Sequence, residues 1–463
     1  MNKKSWLPIS VCAGLILAAT GCGSSNDGSK TTAASGSPAS SAATASAVPE
    51  TSGPKPELKT LNIWMKDDYN TYPVAKLLEE RTGYKVKYDM LPADKPMDKL
   101  NLLMASAEPY DAVTITTEKT VFTDYASKGA LVDLTPLIDK YGPNIKASVS
   151  KESFDAFTVN GKIYAIPNRS SEFSANSLLI RTDWLEKVGM KMPTTLDEFT
   201  AVLKAFKEKD PGGVGDKGSP MTINGNAPVI DNIVGAFGLP NHWNDKNGKL
   251  VARPSDPAFK DYLTYVADLY KQGLLDKEFA VNKDATTKEK FTSGRSGVII
   301  AGWYDVPTLG DALKKNQPNA TYAYVGPLKG KDGKAALAAG AGFDRITFIP
   351  KSSKHPEDAI KWMNAKLEKE TFKLMSIGEE NKHYTVKDGA YYPILPIFTD
   401  ERNNANNYLM GIDEKLYPLY WQARVKKDPR LDEAFSFLNK TVPAELRVAD
   451  PVGTSPILPV SAK

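Results

Sequence analysis

Few side chains in this sequence could form a covalent bond. There are two cysteines, Cys12 and Cys22, and Cys22 directly follows the small residues Ala19-Thr20-Gly21, where a thiol is open to acylation by a lipid. Three histidines, His242, His355 and His383, stand far apart in the chain. Neither a Gly-x-Ser-x-Gly nor a His-Glu-x-x-His motif occurs, which excludes the common serine and zinc hydrolase layouts. Carboxylates are abundant, so a cell-surface glycosidase or lyase using two of them stands as an alternative reading. The remaining chemistry is noncovalent. Lys66-Asp67-Asp68-Tyr69, Thr117-Glu118-Lys119 and Trp303-Tyr304 each follow an apolar, strand-like run. Ligands of open α/β sheets sit at the carboxyl ends of strands. Aromatic faces that stack on C–H groups, beside planar polar groups that bond hydroxyls, suit a sugar.

The segment before Cys22 positions its thiol. Lys3 and Lys4 precede an apolar run from Leu7 to Ala19. At about 13 residues this run is too short for the roughly 20 of a membrane span and suits a cleaved signal peptide. The pattern resembles a bacterial lipobox, with Ala19 where Leu is usual. We therefore expect a lipoprotein signal peptide over 1–21, a lipid on Cys22, and a flexible Ser-, Ala- and Thr-rich linker over 22–57. Beyond Cys22 there is no cysteine, so stability must come from an ordinary core rather than from disulfides. A chain of 463 residues with 41% hydrophobic residues has room for two domains. A formal charge of +4, without a dense Lys/Arg block, argues against a nucleic-acid partner.

From Leu58 onward strand-like and helix-like patterns alternate, the signature of an α/β fold. Leu61, Ile63 and Met65 alternate as in a strand. Val74, Leu77 and Leu78 follow at helical spacing up to Gly83, and Val86, Tyr88 and Met90 return to period two. Pro96 starts a helix with Leu100, Leu103 and Met104 on one face, before a strand over 112–115. Asn160-Gly161 suits a tight hairpin, as does Asn244-Asp245-Lys246-Asn247-Gly248. Thr195 and Glu198 form a capping box ahead of Phe199, Val202, Leu203 and Phe206. Asp256-Pro257 starts a helix whose apolar face is Phe259, Leu263, Val266 and Tyr270.

Several segments, in order, resemble family 1 extracellular solute-binding proteins, the receptors of ABC importers. They are Asp111-Ala112-Val113, Gly129-Ala130-Leu131-Val132-Asp133-Leu134-Thr135, Asn160-Gly161-Lys162-Ile163-Tyr164-Ala165-Ile166-Pro167, Leu178-Leu179-Ile180-Arg181-Thr182-Asp183-Trp184-Leu185, Pro193-Thr194-Thr195-Leu196-Asp197-Glu198-Phe199 and Phe291-Thr292-Ser293-Gly294-Arg295-Ser296-Gly297-Val298. The likeness covers nearly all of residues 58–400. The chain is similar to Gram-positive lipoproteins of oligosaccharide uptake, in which Glu380-Asn381-Lys382-His383-Tyr384 resembles a Gly-x-His-Tyr segment, with Asn381 in place of the glycine.

The resemblance implies a maltose-binding-protein-like, two-lobed α/β fold of the periplasmic-binding-protein type II class. Lobe 1 would take 58–167 and 327–380, lobe 2 would take 168–326 and 381–463, and the chain would cross near 168–175 and 322–327. It implies a monomer that closes on an extracellular oligosaccharide and passes it unchanged to a membrane permease, or, alternatively, presents a solute to a signalling partner. It implies no cofactor. Some relatives carry a calcium loop where this chain has Asp210-Pro211-Gly212-Gly213-Val214-Gly215-Asp216-Lys217-Gly218, in which glycine and valine replace most oxygen ligands, so no metal is expected. The ligand-binding residues implied are Lys66, Asp67, Asp68 and Tyr69, then Thr117 and Glu118. Asn168, Arg169 and Phe173 join them at the first crossing, with Asn226 beyond. Trp303 and Tyr304 match a loop that supplies a stacking aromatic, and Asp344 stands next to Arg345, a side chain equally suited to a structural ion pair.

Overall fold

The computed structural model describes residues 54–454 apart from Phe173, 226–228 and Ala341. The expected signal peptide, Cys22, the expected linker up to residue 53, Phe173 and Asn226 therefore lie outside the described residues.

Strands Leu58–Asn62, Val86–Met90 and Ala112–Thr116 pair in parallel, as strands joined by helices must. The helix Pro73–Thr82 carries proline in its first turn and ends at Gly83, whose φ of 68° few side chains tolerate. Phe343–Phe348 and Ala165–Arg169 complete a five-stranded sheet as antiparallel members. A second sheet orders Tyr322–Tyr324, Asn176–Arg181, Ser296–Gly302 and Ser219–Met221. Each sheet is covered on both faces. Leu58, Ala112 and Ile166 enter one core while Leu61, Val113 and Ile115 enter another. Leu178 and Ile180 face away from Leu179 and Ile299 in the same manner. Burial on two faces explains strands that read as nearly continuous apolar runs.

Local signals set several elements as expected. Asn160 and Gly161 take φ of 50° and 75° in a tight hairpin, and Asn247 and Gly248 take 56° and 81° in another. In the helix Leu196–Lys209, Phe199, Val202, Leu203 and Phe206 are buried. The Thr195 hydroxyl accepts the Glu198 N–H at 3.1 Å, while the Glu198 carboxylate reaches the N–H and hydroxyl of Thr194 rather than the N–H of Thr195, both at 2.8 Å.

Two elements differ from expectation. The first strand stops at Asn62, so Ile63, Trp64 and Met65 belong to the loop that follows. In the helix Pro257–Lys271 Phe259 and Val266 pack on the core as expected, but the fully buried residues are Tyr262 and Leu269, while Leu263 and Tyr270 are 50% and 42% exposed. Tyr262 turns the helix because its hydroxyl accepts the Ile230 N–H at 3.1 Å, satisfying a buried donor that an aliphatic side chain could not.

The chain leaves the first sheet after Arg169 and enters the second at Asn176. Its return lies later than the expected 322–327. Val325 and Leu328 pack in the second lobe, Leu337–Ala339 pairs in parallel with Arg447–Ala449, and the first sheet is regained only at Phe343. Residues 327–339 thus belong with the second lobe. The carboxyl-terminal part also departs from the expected boundary. Tyr384, Phe398, Tyr408, Ile412 and Tyr420 share a core with Leu58 and Trp362, whereas Val425, Leu431 and Leu438 pack with Leu179 and Ile299. Residues 384–423 therefore join the first lobe, and the chain passes to the second within the helix Tyr417–Val425. The cause is burial of a large aromatic surface in a core shared with Leu58, Ala112 and Ile166, more than 200 residues earlier, which no local pattern encodes.

Candidate functional site

Strand ends from both lobes and the first crossing bring the polar and aromatic candidates together. The strand Ser296–Gly302 delivers Trp303 and Tyr304, and a Cβ at position 302 would fall 2.5 Å from the Tyr304 ring, so glycine lets that ring fold back against the strand end. Trp303 is 7% exposed, edge-on to Trp421 and Phe435 with ring centres 6.2 and 5.4 Å away. Its indole N–H donates to the carboxylate of Glu172 in the crossing segment. Tyr304, edge-on to Trp303 at 5.8 Å, is 57% exposed and is the ring open to a ligand. Asp305 accepts the Gly302 N–H at 3.0 Å and pairs with Lys288 at 2.7 Å, which fixes the loop.

Asp344 owes its position to a register shift between Phe343 and Arg345, a bulge of the kind that redirects a side chain at a sheet's rim. Its carbonyl accepts the Thr117 N–H at 3.2 Å, tying the loop after Ala112–Thr116 to the bulge. The Asp344 side chain keeps 45% exposure, yet the surrounding protein pushes its carboxyl up, with the Arg345 guanidinium opposing. Burial likewise pushes the Glu172 carboxyl up, against the Trp303 N–H, and the charge of Asp344 raises it further. The Tyr304 hydroxyl is raised by burial and by Asp305 and Glu172. Glu172, Trp303 and Tyr304 thus lie together, and the pairing of Phe343 with Arg169 sets Asp344 at the end of the first sheet from which the crossing leaves.

The other expected residues divide. Lys66, Asp67, Asp68 and Glu118 are exposed in their loops, and Thr117 is half-buried. Asp67 accepts a bond from the Asn404 amide, and Asp68 accepts the Asn70 N–H at 2.9 Å within a turn. Tyr69 is a correction. It is fully buried, stacked on Tyr88 at 5.8 Å with its hydroxyl donating to the Ile63 carbonyl at 3.1 Å, so it packs the core. Asn168 is another. It is 2% exposed and its amide is used internally, donating to the Leu409 carbonyl at 3.2 Å and accepting the Gly411 N–H at 2.6 Å. Arg169 is exposed and lies 3.9 Å from Glu414. Arg345 donates to the Asn406 carbonyl at 2.6 Å, a structural role.

Sequence reasoning missed Glu172 and Trp64. Glu172 lies between Arg169 and Phe173 in the stretch already assigned to the crossing, and its acidity there was the available signal. Trp64, 52% exposed, was hidden by reading the strand through Met65. His383 and Tyr384 of the Gly-x-His-Tyr-like segment are both buried, the imidazole bonded to the Glu379 N–H and to Glu401 at 2.9 Å each. Asn381 adopts φ of 63°, which is why glycine suits that position. Among the described residues no group of three or more His, Cys, Asp or Glu could hold a metal ion. The Asp210 carboxylate instead accepts the N–H groups of Val214 and Gly215 at 3.1 and 2.8 Å.

A family model described as bacterial extracellular solute-binding protein matches residues 65–370. Lipoprotein LipO of Bacillus subtilis is 33% identical over 344 residues, covering 72% of this chain and 66% of that protein. The polygalacturonan/rhamnogalacturonan-binding protein YtcQ of the same organism is 29% identical over 346 residues, 71% of this chain and 68% of that protein. Among solved structures, the substrate-binding protein FusA of S. pneumoniae in complex with fructo-nystose has a TM-score of 0.64 at 22% identity, covering 85% of this chain and 86% of that one. That likeness establishes the two-lobed fold of the type II periplasmic-binding class. With its two sheets and the segments that cross between them, the chain belongs to the bacterial extracellular solute-binding protein family.

Proposed function

We propose that this protein is the receptor of an ABC importer, capturing an extracellular oligosaccharide by lobe closure and delivering it unmodified to a membrane permease. The observation that carries this reading is the grouping of Glu172, Trp303 and Tyr304 where a strand end meets a crossing, with one ring exposed, and the exposed carboxylate of Asp344 at the end of the first sheet from which that crossing leaves. Carboxylates accept sugar hydroxyls, and an aromatic face takes the C–H side of a pyranose or furanose ring. The names of YtcQ and FusA, a polygalacturonan binder and a protein solved with fructo-nystose, support a glycan cargo. A lipid on Cys22 holds the monomeric receptor at the outer face of the cell membrane, a reading supported by the lipoprotein name of LipO.

Purified protein incubated with a panel of oligosaccharides is expected to gain thermal stability with at least one, by about 2.7 kcal/mol at a hundredfold excess over Kd, and to leave its mass unchanged. Stabilisation by none, or turnover of any, overturns the receptor reading. For the anchor, Cys22→Ser is expected to move the protein from the membrane fraction to the medium. Equal membrane retention removes the lipid.

A further inference from the structure

Two cations stand where the lobes join without a counter-ion. Arg424, in the last turn of the helix Tyr417–Val425, and Lys427, just beyond that helix, both reach one residue of the first lobe, Asn403. Lys427 donates to the Asn403 side-chain oxygen at 2.6 Å, and Arg424 donates to the Asn403 carbonyl and, at 2.8 Å, to that of Arg402. Arg424 is 6% exposed and its guanidinium lies 5.8 Å from the centre of the Trp421 ring. That ring is the one Trp303 meets edge-on at 6.2 Å, so Trp421 links the cation pair to the aromatic group of the candidate site. Lys427 is half-buried.

Among the described residues no carboxylate is within ion-pairing distance of Arg424 or Lys427. The acidic groups around them have other partners. Asp428 is held by Arg430 at 2.7 Å, Glu401 by His383 at 2.9 Å, and Asp344 by Arg345 at 3.5 Å, while Glu172 accepts the Trp303 indole N–H. Asp67 accepts a bond from the Asn404 amide, and the exposed ammonium of Lys66 precedes it in the same loop. Burial lowers the Lys427 pKa, and the neighbouring Arg424 charge lowers it further, with Asp428 opposing. Cations withdrawn from water without a counter-ion are costly. A sugar hydroxyl offers such a group one neutral acceptor, whereas a carboxylate adds a charge-assisted bond.

On the reading of the protein as an oligosaccharide receptor, which this step assumes, we propose that Lys427 receives the carboxylate of a uronate-bearing oligosaccharide, with the Arg424 guanidinium beside it adding charge. The cargo is then an acidic glycan, anchored at the junction of the lobes.

The test titrates oligogalacturonates and oligomannuronates by calorimetry beside their methyl esters, which keep the shape and lose the charge, and beside neutral glucan, galactan, mannan and fructan oligosaccharides. The wild-type protein is expected to bind one acidic glycan most tightly and its ester at least about tenfold more weakly. In Lys427→Gln that ratio is expected to fall by about tenfold with the melt unchanged, and in Lys427→Arg to be kept. Should Lys427→Gln not fold, Lys427→Met takes its place. An ester or a neutral glycan bound as tightly as the acid, or a ratio unmoved by loss of the Lys427 charge, overturns the acidic site while leaving the receptor reading intact. Binding of no glycan at all overturns the receptor reading and this site with it.

Discussion

At the scale of single residues the two aromatics after Ser296–Gly302 have separate tasks. Trp303 is buried among Trp421 and Phe435, so Trp303→Ala is expected to cost about 3–5 kcal/mol in denaturant melts. Tyr304 is 57% exposed, and Tyr304→Ala should leave the melt unchanged while weakening the tightest glycan by about tenfold in calorimetry. Equal stability loss in both variants would contradict this division. Lys366 presents a different case. It is 1% exposed, its amine has no hydrogen-bond partner among the described residues, and its nitrogen lies 4.0 Å from the centre of the Trp362 ring. Burial holds its pKa well below the ordinary lysine value. Between its lowered folded-state value and about pH 10.4 the unfolded chain binds more protons at this site than the folded chain, so wild-type stability rises with pH across that window. Lys366→Met removes this penalty. The gain is expected on the order of 1–3 kcal/mol near neutral pH and should fade toward pH 10.4, as read from denaturation at both pH values.

At the scale of elements, most boundaries were legible because their causes are local. Prolines open the helices Pro73–Thr82, Pro96–Ala105 and Pro356–Lys366, and Gly83 and Gly189 close helices in left-handed conformations. Asn381 shows the same logic in reverse, holding a position where φ is 63°. Asn381→Gly is expected to be nearly neutral and Asn381→Val to cost about 1–2 kcal/mol, measured by chemical denaturation. A tolerated valine would show that the turn relaxes. What stayed illegible was rotation and register. Of the stripe Phe259, Leu263, Val266 and Tyr270 the first and third pack on the core, yet the helix is rotated so that Tyr262 and Leu269 are buried in place of Leu263 and Tyr270, with the Tyr262 hydroxyl accepting the Ile230 N–H. The bulge at Asp344 likewise arises from the pairing of Phe343–Phe348 with Ala165–Arg169. It leaves no mark on the local apolar pattern.

At the scale of the whole molecule, the two lobes are joined by three passages of the chain and by its carboxyl-terminal end. Arg447–Ala449 pairs with Leu337–Ala339 of the second lobe, and Lys119 of the first lobe donates to the carbonyls of Val452 and Gly453 at 2.9 and 3.2 Å. Burial lowers the Lys119 pKa to about 8, so this contact is made by a largely desolvated amine. Deleting residues from 443 onward is expected to loosen the lobes, seen as a larger radius of gyration in small-angle scattering without ligand. An unchanged radius would show that the end of the chain does not restrain them. Residue order alone specified the α/β class, the alternation of strands and helices, the hairpin turns and the cysteine-free core, because backbone preference and apolar periodicity act within a few residues. Three-dimensional packing chose which lobe holds 327–339 and 384–423, sent Tyr69 and Asn168 into the interior, and set Glu172 beside Trp303. Those outcomes depend on partners 131 positions apart for Glu172 and Trp303, and 243 apart for Asn168 and Gly411, and contacts so distant in the chain exist only once the chain has folded.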